Sequence, residues 1–277
     1  MTRLRNMLLL ACFMCAIFTK GQNKYEIQYN IPYIDQTDTS TYRKERCVLD
    51  IYYPKESKKT FKTVIWFHGG GLTGGLKHFP KELKECGLAI VAPNYRLSPK
   101  AKNPAYTEDA AAAVAWTIAH IAEYGGSPSE VYVAGHSAGG YLSMMLALDK
   151  RYLAAYGVDA DSIKGYFPIS GQAATHYTIR HERNLSTDTP LVDDYAPLNH
   201  VRNMKTKLVL ITGDRRLELL ARYEDNLYLQ TVLERAFGME VPLYELDGFS
   251  HDDVVAPGCL LIKKIVTYKK RRTRFGQ

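Results

Sequence analysis

"VYVAGHSAGGYLSMMLAL", Val131 to Leu148, joins two kinds of sequence through a glycine-flanked serine. A short apolar run, Val131 to Ala134, gives way to Gly135-His136-Ser137-Ala138-Gly139 and then to a stretch rich in Ala, Leu and Met. The first part suits a strand buried on both faces, and the last suits a helix. A G-x-S-x-G between strand and helix implies a sharp turn that presents the serine hydroxyl at the end of a sheet. The flanking glycines let neighbouring backbone pass without meeting a Cβ. Ser137 is therefore the candidate nucleophile.

Similar apolar runs recur as "TVIWF" (63–67), "LAIVAP" (88–93), "IKGYFPI" (163–169), "KLVLIT" (207–212) and "VPLYEL" (241–246). Two alternating runs, "YEIQYNIPYI" (25–34) and "CVLDIYY" (47–53), read as early, partly exposed strands. Helix signatures lie between the runs. Asn103 and Pro104 open one, Glu108 and Asp109 load its positive end, and it continues to a stop at Gly125 and Gly126. Ala138 to Leu148, Glu218 to Phe237 and Val254 to Tyr268 are the other helices expected. This alternation predicts an α/β fold, a doubly wound and mostly parallel sheet flanked by helices. Gly171 to Val201 departs from it, being polar and weakly periodic. A connection of about thirty residues is uncommon in a compact domain and reads as a lid or substrate loop.

The first 21 residues combine a basic start, the apolar "MLLLACFMCAIF" and a small-residue exit, as a signal peptide does. That run is well short of the ~20 residues that span a bilayer, so export without stable membrane insertion is expected, with periplasmic or secreted localisation. Residues 22–277 then form a single domain of roughly 250 residues, ample for one large α/β core. Cys47, Cys86 and Cys259 remain, an odd set with no framework spacing. The net charge of +7 invites a nucleic-acid reading. Arg3, Arg5 and Lys20 leave with the leader, however, and Lys263, Lys264, Lys269, Lys270, Arg271, Arg272 and Arg274 cluster at the C-terminus. The basicity is thus a local tail that suits a solvated helix end, and no nucleic-acid partner is expected.

A serine needs a base, and the base needs an orienting acid. His251, in "YELDGFSHDD" just past the last apolar run, is placed for the base at the sheet's C-terminal edge. The acid belongs in the loop after the preceding strand, where "GDRRLE" offers Asp214 first and Glu218 as the alternative, one helical turn further on. Backbone donors for an oxyanion are expected from Gly70 and Gly71 in "HGGG" and from the amide of Ala138. That loop is expected to lead into a helical stretch near Lys77. No Gly-Lys-Ser/Thr follows the glycines, so a phosphate loop is excluded. His136 is expected to point off the turn, with His78 and His120 on helices. His176 and His181 lack a regular ligand spacing, so no metal and no cofactor is called for.

"HGGG", "APNYRLSP", "EDAAAAVAW", "YGGSPSEVYVAGHSAGG" and "GFSH" together resemble α/β-hydrolases of the bacterial carboxylesterase and hormone-sensitive-lipase-like kind. The resemblance runs from about Lys44 to the last helix, in that family's order of serine, acid, histidine. It implies a carboxylic ester hydrolase using Ser137, His251 and Asp214, with Asn94 and Arg96 in structural roles. Relatives similar to feruloyl and acetyl-xylan esterases share this size and an export signal, which implies glycan-linked or small-molecule ester substrates. An arylformamidase-like amide hydrolase would use the same residues, and a non-catalytic binding protein on this fold is the rival of a different class. A prolyl peptidase would want a large gating domain and a lipase an apolar lid. Acyl preference and oligomeric state are not written in the motifs.

Overall fold

Strand β3 (Phe61–Phe67) shows how the sheet is built. Val64 and Trp66 enter one hydrophobic core, and Ile65 and Phe67 enter another on the opposite face. Such a run is stable only at the centre of a sheet covered on both sides. The computed structural model describes residues 24–268 except Gln36, Glu56 and Lys58. The expected leader, residues 1–21, and the tail from Lys269 onward lie outside the described residues.

Parallel to β3 lie β4 (Leu88–Pro93) and β5 (Gly126–His136). Beyond β5 the sheet continues in parallel through β6 (Gly165–Ile169), β8 (Leu210–Gly213) and β9 (Leu243–Leu246), and the two-residue β7 (Lys207–Leu208) pairs with β6. At the other edge β2 (Val48–Pro54) joins β4 and β1 (Tyr25–Pro32) joins β2, both antiparallel. The order is β1-β2-β4-β3-β5-β6-β8-β9, so every expected apolar run is a strand in a mostly parallel sheet. The alternation of β1 breaks at an irregularity between Gln28 and Ile31, where Asn30 turns to φ +56° and its amide reaches Asp50.

Helix α1 (Thr41–Arg46) precedes β2 and was not expected. Helices α2 (Ala105–His120) and α3 (Ala138–Leu148) share one core, and every residue of α3 is buried. The short helices α4 (Lys150–Ala154) and α5 (Tyr177–Glu182) follow. Leu229 and Leu233 of α6 (Arg222–Phe237) join the core of α2 and α3, while Cys259, Ile262 and Val266 of α7 (Val255–Thr267) cover the other face. Cys47 and Cys259 therefore lie in opposite cores, and Cys47, Cys86 and Cys259 are all free.

Several local expectations are corrected. The stretch near Lys77 is a loop with one tight turn at Lys81–Leu83, because the Lys77 amide donates to Asn94 and its ammonium to Asp50. His78 consequently lies in a loop beneath Trp66, while His120 ends α2. Asn103 caps nothing; its amide donates to Glu182, and α2 begins after Pro104. Asp109 does not face solvent at that end but is buried against the Arg96 guanidinium, at 2.7 Å. The segment 171–201 contains α5 and a tight turn at Pro197–His200, with Ala173 to His176 and Thr178 to Arg180 buried. It is clamped to α2 through Tyr106 and Glu182, and to the glycine loop through Thr178 and Gly71.

The tightest approach in the sheet region is at Gly139, where an added Cβ would stand 2.0 Å from the Phe67 carbonyl oxygen. Gly139→Ala should therefore lose roughly 1–3 kcal/mol or more of stability, because rigid backbone must move. Gly157→Ala, where a Cβ meets nothing within 4 Å but φ is +72°, should lose only about 1 kcal/mol from left-handed strain. Urea unfolding of the two variants measures the contrast.

Candidate active site

The turn after β5 forces Ser137 to φ +54° and ψ −112°, the backbone of a strained elbow. A Cβ on Gly135 would approach the Gly139 backbone at 2.5 Å, so both flanking glycines are sterically required. Ser137 thereby ends the central strand and begins the buried α3, with only 8% of its surface exposed.

His251, in the loop after β9, places Nε2 2.9 Å from Ser137 Oγ. Its Nδ1 lies 2.7 Å from Glu218 Oε2. A carboxylate only accepts, so Nδ1 carries the proton and Nε2 faces the serine as acceptor. Glu218 in turn accepts from the Gly213 amide at 2.9 Å and from the Ser170 hydroxyl. Burial alone would raise the Glu218 carboxyl, but the bonds from His251, Ser170 and Gly213 outweigh it and hold the group at about 2.

The acid expected first, Asp214, is not at the histidine. Its carboxylate is clamped by the Arg216 side chain and amide and by the Gly248 amide at 3.0 Å. Hydrogen bonds from Arg216 hold it well below the usual carboxylate range. The backbone explains the substitution: Leu217 and Glu218 both donate to the Asp214 carbonyl, closing a turn that returns Glu218 beneath Gly213. The longer glutamate side chain spans the remaining gap to His251. This turn is also why α6 starts at Arg222 and not at Glu218.

His136 was expected to point away, yet its Nε2 lies 2.8 Å from the His251 carbonyl oxygen. Since a carbonyl only accepts, Nε2 is the protonated nitrogen. Burial first, then repulsion from His251, pulls its pKa down to about 4, so the ring is neutral near pH 7. His136, His251 and Asp252 bring possible metal-ligand atoms within 4.8 Å of one another. Both nitrogens of His251 are already engaged, so a metal there would break the chain from Ser137 to Glu218. Neither His136 nor Ser170 carried a sequence signal for these roles beyond adjacency to a strand end.

The glycine loop follows β3. Gly70 and Gly71 have φ of +112° and +62°, and the Thr73 and Gly74 amides close a turn on the Gly70 carbonyl. Gly75 packs on this turn, for its Cβ would lie 2.4 Å from the Gly69 carbonyl oxygen. Among the described residues the amides of Gly70, Gly71 and Ala138 have no hydrogen-bond acceptor. His68, which opens the loop, stacks on Tyr95 at 4.4 Å and is held by Tyr95 Oη through its carbonyl. The Tyr177 hydroxyl stands beside the loop, 2.1 Å from where a Cβ on Gly71 would lie.

Over 102 residues the chain is 38% identical to the carboxylesterase NlhH of Mycobacterium tuberculosis, covering 35% of this chain and 32% of that protein. It is 33% identical over 123 residues to the human hormone-sensitive lipase, covering 42% and 11%. The chain thus spans about a third or less of the length of these curated relatives. In fold it is similar to a truncated carbohydrate esterase from gut microbiota, with a TM-score of 0.70 at 19% identity, over 89% of this chain and 97% of the other. A bifunctional GH43-CE protein of Bacteroides eggerthii gives 0.67 at 19% identity, over 87% and 37%. These likenesses establish the α/β-hydrolase fold. The family described as BD-FAE matches residues 49–206, more than half of the sequence, and the chain belongs to the BD-FAE family.

Proposed function

We propose that the protein is a carboxylic ester hydrolase that works through an acyl-enzyme on Ser137. The observation that carries this reading is the continuous chain from Ser137 Oγ to His251 and on to Glu218, at 2.9 and 2.7 Å. His251 Nε2 takes the hydroxyl proton as Oγ attacks the substrate carbonyl carbon, and Glu218 stabilises the resulting imidazolium. The amides of Gly70, Gly71 and Ala138 receive the developing oxyanion, each donor being worth roughly 2.7–4 kcal/mol in comparable sites. Collapse expels the alcohol, which leaves with the proton from His251. Water, deprotonated by the same nitrogen, then releases the acid. His136 holds the His251 backbone in place, and Ser170 holds Glu218.

Acyl groups on glycans are the substrate we favour, since the cavity beside the site carries Gln172, Asp188 and Arg222 among its polar lining. The composition of residues 1–21 supports export of the enzyme.

A fluorophosphonate should label the protein covalently, and Ser137→Ala should abolish labelling while leaving the fold intact by circular dichroism. Labelling that persists in Ser137→Ala would place the nucleophile elsewhere, and no labelling of the parent protein would favour a binding function. On a short-chain nitrophenyl ester, Glu218→Ala should lower kcat by about 10³–10⁴, as loss of an orienting acid does in other triads. Asp214→Ala should lose far less and chiefly affect stability. The Glu218 carboxyl, held at about 2, is ionised at any pH above about 4, so it should contribute no limb to the pH–rate profile between pH 5 and 9. Its contribution to stability is present above its ordinary value near 4.5 and is lost as pH falls towards 2, which acid unfolding of Glu218→Gln against the parent would reveal. For export, intact-mass measurement of secreted protein should give a chain beginning at Gln22.

A further inference from the structure

A cavity of about 410 Å³ opens between α5, the acid loop and the start of α6, lined in part by Tyr177, Arg180, Leu219, Arg222 and Asp225. It adjoins the site on two sides. Tyr177 stands against the glycine loop, and Leu219 follows the acid Glu218 directly. At this cavity Arg222 is buried, with 4% of its surface exposed. Among the described residues its guanidinium makes no hydrogen bond and no ion pair, and its Nε and Nη1 are buried without a partner.

A buried guanidinium without an acceptor is costly, because burial strips its water and returns nothing. Burial accordingly pulls its pKa down, against the attraction of Asp225 and Glu218. Its neighbours do not supply the missing acceptor. Asp225 accepts from the Ala174 amide and makes no contact with Arg222 close enough for an ion pair. Arg180 is a second donor, bound through Nη1 to the carbonyls of Ser186 and Thr189 and with its own Nε buried without a partner. Asp188 is exposed at the rim. Arg222 is also the first residue of α6, a sixteen-residue helix whose positive end favours an anion, so a cation there is doubly unfavourable unless an anion joins it.

Resting on the ester-hydrolase reading, we infer that this cavity is a subsite for a carboxylate on the substrate, received by the Arg222 guanidinium at the N-terminus of α6. A guanidinium donates charge-assisted hydrogen bonds to a carboxylate, and Tyr177, which lines this cavity and stands against the glycine loop, fits a polar substrate that spans both. The carboxylate belongs either to the alcohol portion, as in a uronic acid ester, or to the acyl portion, as in a dicarboxylic half-ester.

Two matched pairs separate these sources: acetylated methyl glucuronoside against acetylated methyl glucoside, and monoethyl succinate against ethyl butyrate. In one pair kcat/KM should favour the charged ester by about tenfold or more, mainly through KM, as one charged hydrogen-bonded contact allows. Arg222→Gln should bring that ratio to within about twofold of unity, and Arg222→Lys should retain part of it, as a charge without the fork would. Circular dichroism of both variants guards against misfolding. If both neutral esters are hydrolysed but neither charged ester is preferred, the carboxylate subsite is overturned and the hydrolase reading stands. If no ester is hydrolysed, the hydrolase reading fails, and the subsite is decided by calorimetric titration of the parent protein with methyl glucuronoside and with monoethyl succinate. Heat that disappears in Arg222→Gln supports it, and the absence of heat overturns it.

Discussion

The site depends on one close approach of backbone to backbone, the seating of Gly139 against the Phe67 carbonyl. Because no side chain intervenes, α3 can begin directly on the end of β3 and β5, and the chain between them has room only for a strained serine. The same contact fixes the start of the glycine loop, since His68 to Gly71 leave β3 immediately after Phe67. Ser137 and the free amides of the glycine loop are thus set by a single steric fact. The strain at Ser137 persists because α3 is buried along its whole length and cannot relax outward.

Around this apolar frame the polar groups divide by how completely they are paired. The Glu218 side chain is buried yet has four partners, His251, Ser170 and the amides of Gly213 and Leu219, so it remains a carboxylate where desolvation would otherwise neutralise it. Asp109 and Arg96 are paired similarly beneath the "NYRLSP" segment and stabilise the loop architecture without touching the reacting groups. Arg222 is the contrast. Complete pairing marks groups that hold structure, whereas an unpaired buried charge beside a cavity marks a place where a ligand completes the site.

Much of this was legible in the sequence, because strand runs and G-x-S-x-G both express local requirements: burial on two faces, and absence of a Cβ. Ser137 and the mostly parallel sheet follow from those requirements, and His251 from its place just past the last apolar run. The choice between Asp214 and Glu218 does not. Both follow one strand in "GDRRLE", and the deciding event is a turn closed on the Asp214 carbonyl, together with an Arg216 that occupies the nearer carboxylate. The stretch near Lys77 departs from the expected helix because its anchors, Asn94 and Asp50, are tertiary partners that local sequence does not reveal. The segment 171–201 is weakly patterned in sequence because its buried polar residues find their partners through the fold: His176 Nδ1 accepts from the Thr178 amide, the Thr178 hydroxyl donates to the Gly71 carbonyl, and Arg180 Nη1 donates to the Ser186 carbonyl.

The bond from His136 to the His251 carbonyl has a mechanical meaning as well. β9 is the outermost strand of its edge and is only four residues long, and sheet edges are where proteins open most readily. His251 hangs from that edge, while Ser137 stands at the end of the central strand. By reaching from β5 to the backbone of His251, the ring of His136 braces the loop behind the edge strand against the central strand. A displacement of that edge is then shared with β5, so the spacing of His251 and Ser137 changes less than the strand itself moves.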